Sequence, residues 1–468
     1  MLFLHFVYRL VWGIPALALI IGVGIYISRK TGFVQFRLFP AAMSTFGKML
    51  TRKDAENRGS FRALCTALGA TVGTGNIVGV AGAICMGGPG AIFWMWICGL
   101  LGMATKFAEV TLAQRYRIQS EGGTLGGPMY MICYGMGQKW RPLAVSYCVF
   151  GMLASFGVGN MAQVNAVLSG IHGVALQRGT TLSFRHDMAL GLILMVLTGA
   201  VLLGGAKRIG GAAQLLIPSV SCLYILLCLG VLCFRFHRIP MAFACIFRGA
   251  FSPEAVTGGV LGSVLCALRI GCARGVFTNE AGMGTASMAH ACADPAHPVE
   301  QGLMGIVEVF LDTIVLCTMT ALVILVSGVE IPYGMDQGGM LTVLAFSCVY
   351  GSAASLMLSV AMGCFAFATI LGWGLYGMCC ARFLFGRQVQ IPFALLQTAA
   401  VLLGAAVDTE SVWLVSELFN GLMAIPNLIV LAALTSELAR LTNEYEYKIG
   451  SFAAKGGNYA DFHQCKPL

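Results

Sequence analysis

Residues 69–79 read Gly69-Ala70-Thr71-Val72-Gly73-Thr74-Gly75-Asn76-Ile77-Val78-Gly79, and residues 274–284 read Arg274-Gly275-Val276-Phe277-Thr278-Asn279-Glu280-Ala281-Gly282-Met283-Gly284. Each stretch lies inside a long apolar run, where a continuous helix would carry Leu or Ile. Gly loses the most backbone entropy on folding and is poor in helix interiors. Clustered Gly with small polar residues therefore predicts local unwinding in both runs. In lipid, unwound backbone is tolerated only where it faces protein or a water-filled cavity. Such a break is also useful, because half-helix N–H groups attract a carboxylate and freed carbonyls ligate a cation. For one segment alone, close helix packing through small residues explains the pattern equally well. Two segments in corresponding positions favour the binding reading.

The surrounding composition places both breaks in a membrane. Of 468 residues, 58% are hydrophobic and 10% charged, and the mean hydropathy is +0.82. Soluble domains carry about 25% charged residues, so a soluble enzyme is excluded, and the apolar content excludes disorder. Apolar segments near 10–27, 63–86, 90–114, 143–170, 188–206, 212–234, 257–285, 303–327, 354–380, 391–407 and 412–434 predict an all-α polytopic protein of eleven transmembrane helices. Residues 10–27 run straight into Ser28-Arg29-Lys30 without an A-x-A cleavage site, which reads as a retained helix. With that helix set aside as extra, the rest divide into two five-helix repeats, 63–234 and 257–434, within one transporter domain over 1–441. A broken helix opens each repeat. An odd number of helices per repeat inverts the second relative to the first, the pattern of secondary transporters with a site near the bilayer midplane. The polar tail, 442–468, is expected to be loosely ordered, and no role is assigned to it.

The net charge is +9, from 29 Lys and Arg against 20 Asp and Glu. With eleven spans, 20 of those 29 basic residues fall on one side, 6 on the other and 3 within helices. The positive-inside rule then puts the C-terminus in the cytoplasm and the N-terminus outside, in the cell membrane. Loop charge of this kind gives no reason to expect nucleic acid. The 18 cysteines lie mostly in apolar runs without a C-x-x-C pair, so neither zinc nor a disulfide framework is indicated. No H-E-x-x-H or G-x-S-x-G motif points to an enzyme, and no organic cofactor is expected. No repeated filter sequence points to a channel, which stays a remote alternative.

Several blocks carry a more specific signal. Val72 to Ala81 continues into Gly87-Gly88-Pro89-Gly90-Ala91-Ile92-Phe93-Trp94-Met95-Trp96. Further along come Gly126-Gly127-Pro128-Met129-Tyr130, Gly159-Asn160-Met161-Ala162-Gln163, Arg274 to Gly282, Asp312-Thr313, Phe365 to Thr369 with Trp373, and Met423-Ala424-Ile425-Pro426-Asn427. In order and over nearly the whole chain, these closely resemble the alanine or glycine:cation symporter family, the sodium:alanine symporters. The resemblance implies a LeuT-like fold of the amino acid–polyamine–organocation superfamily, a 5+5 inverted repeat with one extra N-terminal helix. It implies Na⁺-coupled uptake of a small neutral amino acid, alanine or glycine, by alternating access, in a lipid bilayer and as a monomer. A proton-coupled or uncoupled carrier of the same fold is the alternative.

The resemblance also assigns roles. Gly73, Thr74 and Gly75 are expected to offer N–H groups to the substrate carboxylate, with Thr71 in the same set. The Gly69 and Val72 carbonyls and the Thr369 hydroxyl are expected to hold Na⁺, a hard cation that wants oxygen ligands. Asn76 serves a second ion or the carboxylate, or bridges the helix break. Asn160 and Gln163 share a helix face and are expected at the substrate, Gln163 directly; the alternative is an interhelical hydrogen bond. Trp373 shares a face with Thr369 and would limit side-chain size, though a lone membrane Trp is otherwise packing. Val276 and Phe277 would close over the substrate. Intramembrane charges are functional suspects: Arg274 and Glu280 as gate ion pairs or helix caps, Asp312 as a coupling or gating carboxylate. Lys106 and Glu109, one turn apart, read as a structural pair. The chain departs from the family pattern at Ala368, often Ser or Thr, which removes a possible second hydroxyl ligand. Met378 stands where Glu is common, Glu417 where Asp is usual, and Glu308 is additional.

Overall fold

The computed structural model describes residues 13–51, 55–121, 123–177, 179–252, 264–335, 338–407 and 409–454. The expected segment starts at 10–12 and 257–263, and the tail from 455 onward, lie outside the described residues. The helices are α1 (Ile14–Lys30), α2 (Phe39–Thr51), α3 (Ala55–Thr71), α4 (Val78–Gly87), α5 (Gly90–Arg115), α6 (Arg141–Phe156), α7 (Ala162–Gln177), α8 (Phe184–Leu202) and α9 (Gly205–Phe234). They continue with α10 (Ile239–Phe251), α11 (Val264–Asn279), α12 (Thr285–His290), α13 (Pro298–Val309), α14 (Thr318–Ser327), α15 (Gly338–Tyr350), α16 (Ala353–Phe385), α17 (Gln390–Gly404) and α18 (Thr409–Ala454). A small hairpin, β1 (Ile118–Ser120) with β2 (Gly123–Leu125), follows α5.

Both expected interruptions are present. Helices α3 and α4 form one span bent by 59°, and the second run breaks between α11 and α12. Among the described residues, seven helical stretches, with the bent pair as an eighth, are long and apolar enough to cross a membrane. Of the other three expected spans, α1 and α17 have 17 and 15 residues and α11 is described only from Val264 onward, so among the described residues length and apolarity alone do not reach eleven. Helices α2, α10 and α15 lie between the expected spans. On α2, Ala42, Thr45 and Met49 are buried at helical spacing, a one-sided stripe that a 13-residue helix can dock but not carry across a bilayer. On α10, Gly249 meets Gly90 of α5 so closely that a Cβ on Gly90 would lie 2.1 Å from the Gly249 carbonyl carbon.

Helix α8 exposes Leu192, Ile193, Val196 and Leu197, whereas α5 buries Lys106 and Glu109 completely. Apolar side chains therefore face outward toward lipid and charges face inward, the inverse of a protein in water. The tail departs from the sequence expectation. Helix α18 runs on through Thr442 and Tyr445, both buried, to Ala454. Leu438, Leu441 and Tyr445 continue an apolar stripe that polar neighbours mask in the sequence, and Tyr445 stacks on His297 with ring centroids 5.2 Å apart. Two π-helical turns, Gly157–Met161 and Phe310–Cys317, carry Asn160 and Asp312. Such turns cluster at functional sites.

Candidate functional site

Unwinding at the first break redistributes specific backbone groups. An uninterrupted helix would pair the Gly73 N–H with the Gly69 carbonyl and the Asn76 N–H with the Val72 carbonyl. Here the Gly73 N–H donates to Asn76 Oδ1 at 2.9 Å, and the Asn76 N–H donates to the Gly73 carbonyl at 3.3 Å. The Gly69 and Val72 carbonyls are thus freed from the helix, and Gly69 accepts the Thr369 hydroxyl at 3.1 Å. The N–H groups of Thr74 and Gly75 find no acceptor among the described residues, although Thr74 is buried. An unpaired buried N–H costs about 1–3 kcal/mol. Two side by side in a membrane core are therefore a provision for something polar.

Neighbouring side chains close around these groups. Thr74 Oγ1 donates to Gln163 Oε1 at 3.3 Å, and Gln163 Nε2 donates to the Val158 carbonyl at 3.0 Å. A Cβ on Gly73 would lie 2.9 Å from Thr369 Oγ1, so only glycine leaves that hydroxyl room. At Gly75, a Cβ would stand 3.3 Å from Thr278 Cγ2 and 3.5 Å from the Phe277 ring. The two broken helices therefore touch where each is interrupted.

The second break is built differently. Glu280, Gly282 and Gly284 all have positive φ, at 53°, 99° and 77°. The N–H groups of Gly282 and Gly284 donate to Glu109 Oε1 at 2.8 and 3.0 Å, and Asn427 Nδ2 donates to the same oxygen at 2.8 Å. Lys106 Nζ stands 4.0 Å from Glu109 Oε2 and 3.3 Å from Glu308 Oε1. His290 Nε2 is 3.1 Å from Glu308 Oε2. Glu280 accepts from Trp373 Nε1 at 2.9 Å and faces Thr285 Oγ1 at 2.6 Å. All these charged groups are buried.

A polar chain joins the two breaks. Asn76 Nδ2 donates to Asp312 Oδ1, Thr313 Oγ1 donates to Asp312 Oδ2 at 2.9 Å, and Asn279 Nδ2 donates to Thr313 Oγ1 at 3.1 Å. Asn76 therefore makes the bridging bond across its own break as well as a link to α11.

The structure gathers Gly69, Val72, Gly73, Thr74, Gly75, Gln163, Phe277 and Thr369 at the first break. Trp373 and Glu280 belong to the second, with Val276 buried on the preceding turn of α11. Several expectations need correction. The Gly73 N–H is consumed by Asn76 and is not open to a ligand. Arg274 does not face Glu280; its guanidinium lies 4.0 Å from Glu417. The partner nearer to Lys106 is Glu308 rather than Glu109. Asn160 donates to the Gln397 carbonyl at 2.8 Å, and Thr71 Oγ1 donates to the Ala67 carbonyl within its own helix at 3.2 Å. His290, which lies between the expected segments 257–285 and 303–327, is fully buried on α12. The reading of residues one helix at a time missed Glu109 as the cap of the second break, and missed Asn279, Thr313 and Asn427. Asn279, Thr313 and Asn427 lie in the blocks that carry the family resemblance, but nothing in the linear order gives their partners, and for Glu109 the signal was an acid in an apolar run.

The sequence profile of the sodium:alanine symporter family matches residues 2–455. The chain belongs to that family. Members transport solutes across membranes and are not enzymes, so this is a multi-pass membrane transporter. The sodium/alanine symporter AgcS of Methanococcus maripaludis is 39% identical over 445 residues, covering 93% of this chain and 95% of that protein. An uncharacterised transporter of Haemophilus influenzae is 41% identical over 442 residues, covering 93% and 94%. The probable sodium/glutamine symporter GlnT of Bacillus subtilis is 34% identical, covering 93% and 88%. The crystal structure of MhsT in complex with L-phenylalanine superposes with a TM-score of 0.56 at 14% identity, covering 81% of this chain and 93% of that one. The expected LeuT-like fold is thereby shown.

Proposed function

We propose that this protein is a secondary active transporter that carries a small neutral amino acid, alanine or glycine, into the cell together with Na⁺ by alternating access. The observation that supports it most is the contrast between the two breaks. At the second, two backbone N–H groups receive a carboxylate from the chain itself, Glu109. At the first, the adjacent N–H groups of Thr74 and Gly75 have none, and a substrate carboxylate completes the pattern. Thr71, Asn76, Asn160 and Gln163 supply polar surroundings in this reading, Gln163 directly. Val276, Phe277 and Trp373 bound the side chain, which favours a small substrate. The Gly69 and Val72 carbonyls with the Thr369 hydroxyl form the Na⁺ ligand set, oxygen donors suited to a hard cation. Arg274, Glu280 and Asp312 act in gating or coupling. The similarity to the sodium/alanine symporter AgcS supports this choice of substrate and ion.

Lys and Arg asymmetry supports a cell-membrane location with the N-terminus outside and the C-terminus cytoplasmic. The amino-acid cargo named for the relatives supports a carrier rather than a channel, and a monomer is part of this reading. A proton-driven variant is the second reading, because Ala368 is buried beside Thr369 without a hydroxyl to add to the ion site. The test is alanine and glycine uptake into proteoliposomes. Saturable uptake that rises with an inward Na⁺ gradient supports symport. Uptake indifferent to Na⁺ and driven by a pH gradient overturns the sodium assignment, and a non-saturating current overturns the carrier.

A further inference from the structure

The buried acids around the second break outnumber the bases. Lys106 is the one ammonium, facing Glu109, Glu308 and, at longer range, Glu280. His290 meets the Gln301 side-chain amide at Nδ1, 2.7 Å away, and turns Nε2 to Glu308. Asp312, Tyr147 and Tyr376 are further titratable groups packed around this cluster, all buried, and the Tyr147 hydroxyl donates to the Met283 carbonyl at 3.1 Å. With every carboxyl ionised, Glu109, Glu280, Glu308 and Asp312 would hold three more negative charges than Lys106 offsets. Each uncompensated buried charge costs several kcal/mol.

The hydrogen bonds show which acid carries the relief. Glu109 receives three N–H donors on one oxygen, and Glu308 has Lys106 and His290. Both thus have donors or a cation of the kind that suits a carboxylate. Glu280 has no basic group within 4.0 Å among the described residues, and its partners are the neutral Trp373 indole and the Thr285 hydroxyl. A hydroxyl both donates and accepts, so the 2.6 Å contact serves equally well as Oε2–H donating to Thr285 Oγ1. Glu280 also sits on the interrupted backbone, at φ 53°, where movement of α12 against α11 would expose it.

We propose that Glu280 is a proton-binding site of the transport cycle, filled in this conformation and emptied when the second break opens to water. On opening, the Oε2–H bond breaks and water takes the proton. The Thr285 hydroxyl then turns to donate to the carboxylate left behind. Trp373, bonded to Glu280 and bounding the proposed pocket, connects the proton to the substrate. The inference rests on the amino-acid symport reading above.

The test measures alanine binding to the full-length purified protein at saturating Na⁺ across pH, with calorimetry in buffers of different ionisation enthalpy to count protons exchanged. Wild type is expected to show alanine affinity changing with pH, by up to about tenfold per unit, the one-proton limit. It should also show net proton exchange on binding. Glu280→Gln, a neutral mimic of the acid, is expected to exchange none and to bind independently of pH. A wild type with no proton exchange, or a Glu280→Gln variant that keeps the wild-type exchange, overturns the proposal. Should Glu280→Gln not fold, Glu280→Asp decides: a carboxyl withdrawn by one methylene from Trp373 and Thr285 should keep proton exchange but displace the pH dependence of alanine binding, and an unmoved profile overturns the proposal. Wild-type uptake into proteoliposomes under an inward Na⁺ gradient is measured alongside. Its absence at every pH defeats the symport reading, whereas uptake without proton exchange defeats this inference alone.

Discussion

Asn76 Nδ2 donates to Asp312 Oδ1 at 2.6 Å, and this one bond ties the backbone of the first broken helix to the π-helical turn that also reaches the second. Through its other atom, Oδ1, Asn76 holds the Gly73 N–H. One side chain thus fixes the local geometry of the first break and its coupling to the second. Asp312 stands in that link by tertiary placement, 236 residues away in the chain.

Asn76→Ala removes both functions. It leaves the Gly73 N–H and Asp312 Oδ1 without their partner, at a cost of about 1–3 kcal/mol for the N–H alone. The expected outcome is a lower Tm in a detergent thermal-shift assay and at least roughly tenfold weaker alanine binding, the equivalent of about 1.4 kcal/mol. A variant with unchanged Tm and affinity would show that the link carries nothing.

Gly75→Val should abolish alanine binding while leaving membrane insertion and folding intact. Its Cβ would already press on Thr278 at 3.3 Å, and the added methyls fill the space over the N–H groups assigned to the carboxylate. Gly73→Ala acts on the ion instead. Its Cβ would meet Thr369 Oγ1 at 2.9 Å, so the Na⁺ concentration for half-maximal uptake should rise more than the alanine KM. Titrating both ligands against each variant separates the two effects.

Glu109→Ala should be among the most damaging single changes. It strips the acceptor from the Gly282 and Gly284 N–H groups and from Asn427. Removing one partner of a buried charge network costs about 3–5 kcal/mol. The measurable outcome is loss of folded protein on size-exclusion chromatography, with Glu109→Gln recovering part of it because one carbonyl oxygen remains.

Acid should loosen the contact between α13 and the end of α18. His297 Nδ1 accepts the Val299 N–H at 3.2 Å, which requires an unprotonated nitrogen. Burial, and then the Lys448 charge, hold the imidazole below its ordinary value. The neutral form is therefore the one the fold favours. The stabilisation is complete above the unfolded value of about 6.5 and declines as pH falls through the lowered folded value. Tm measured from neutral to mildly acidic pH should fall more for wild type than for His297→Ala. Parallel curves would remove His297 from the account.

The two breaks are legible from the sequence because their signal is local. Clustered Gly at 69–79 and 274–284 marks unwinding wherever it occurs in an apolar run, and the breaks stand where it predicts. What was not legible was the use of each freed group. The Gly73 N–H goes to Asn76, and the Gly282 and Gly284 N–H groups go to Glu109, a residue more than 170 positions away. Neither spacing nor residue type distinguishes an acid that caps a distant helix from one paired to its neighbour, so Lys106 and Glu109 read as a simple ion pair. The tail was misjudged for a related reason: its apolar stripe has a partner surface only once α13 has folded against it.

The sequence by itself determined the solvent and the architecture. A chain with so few charges and such long apolar runs must live in lipid, and lipid forces its backbone into helices interrupted only where protein or water can satisfy the exposed groups. Only the tertiary structure decided which interruption is already satisfied and which is open. Hydrogen-bond partners in a helical membrane protein come from other helices, and their meeting depends on packing that the linear order of residues does not encode.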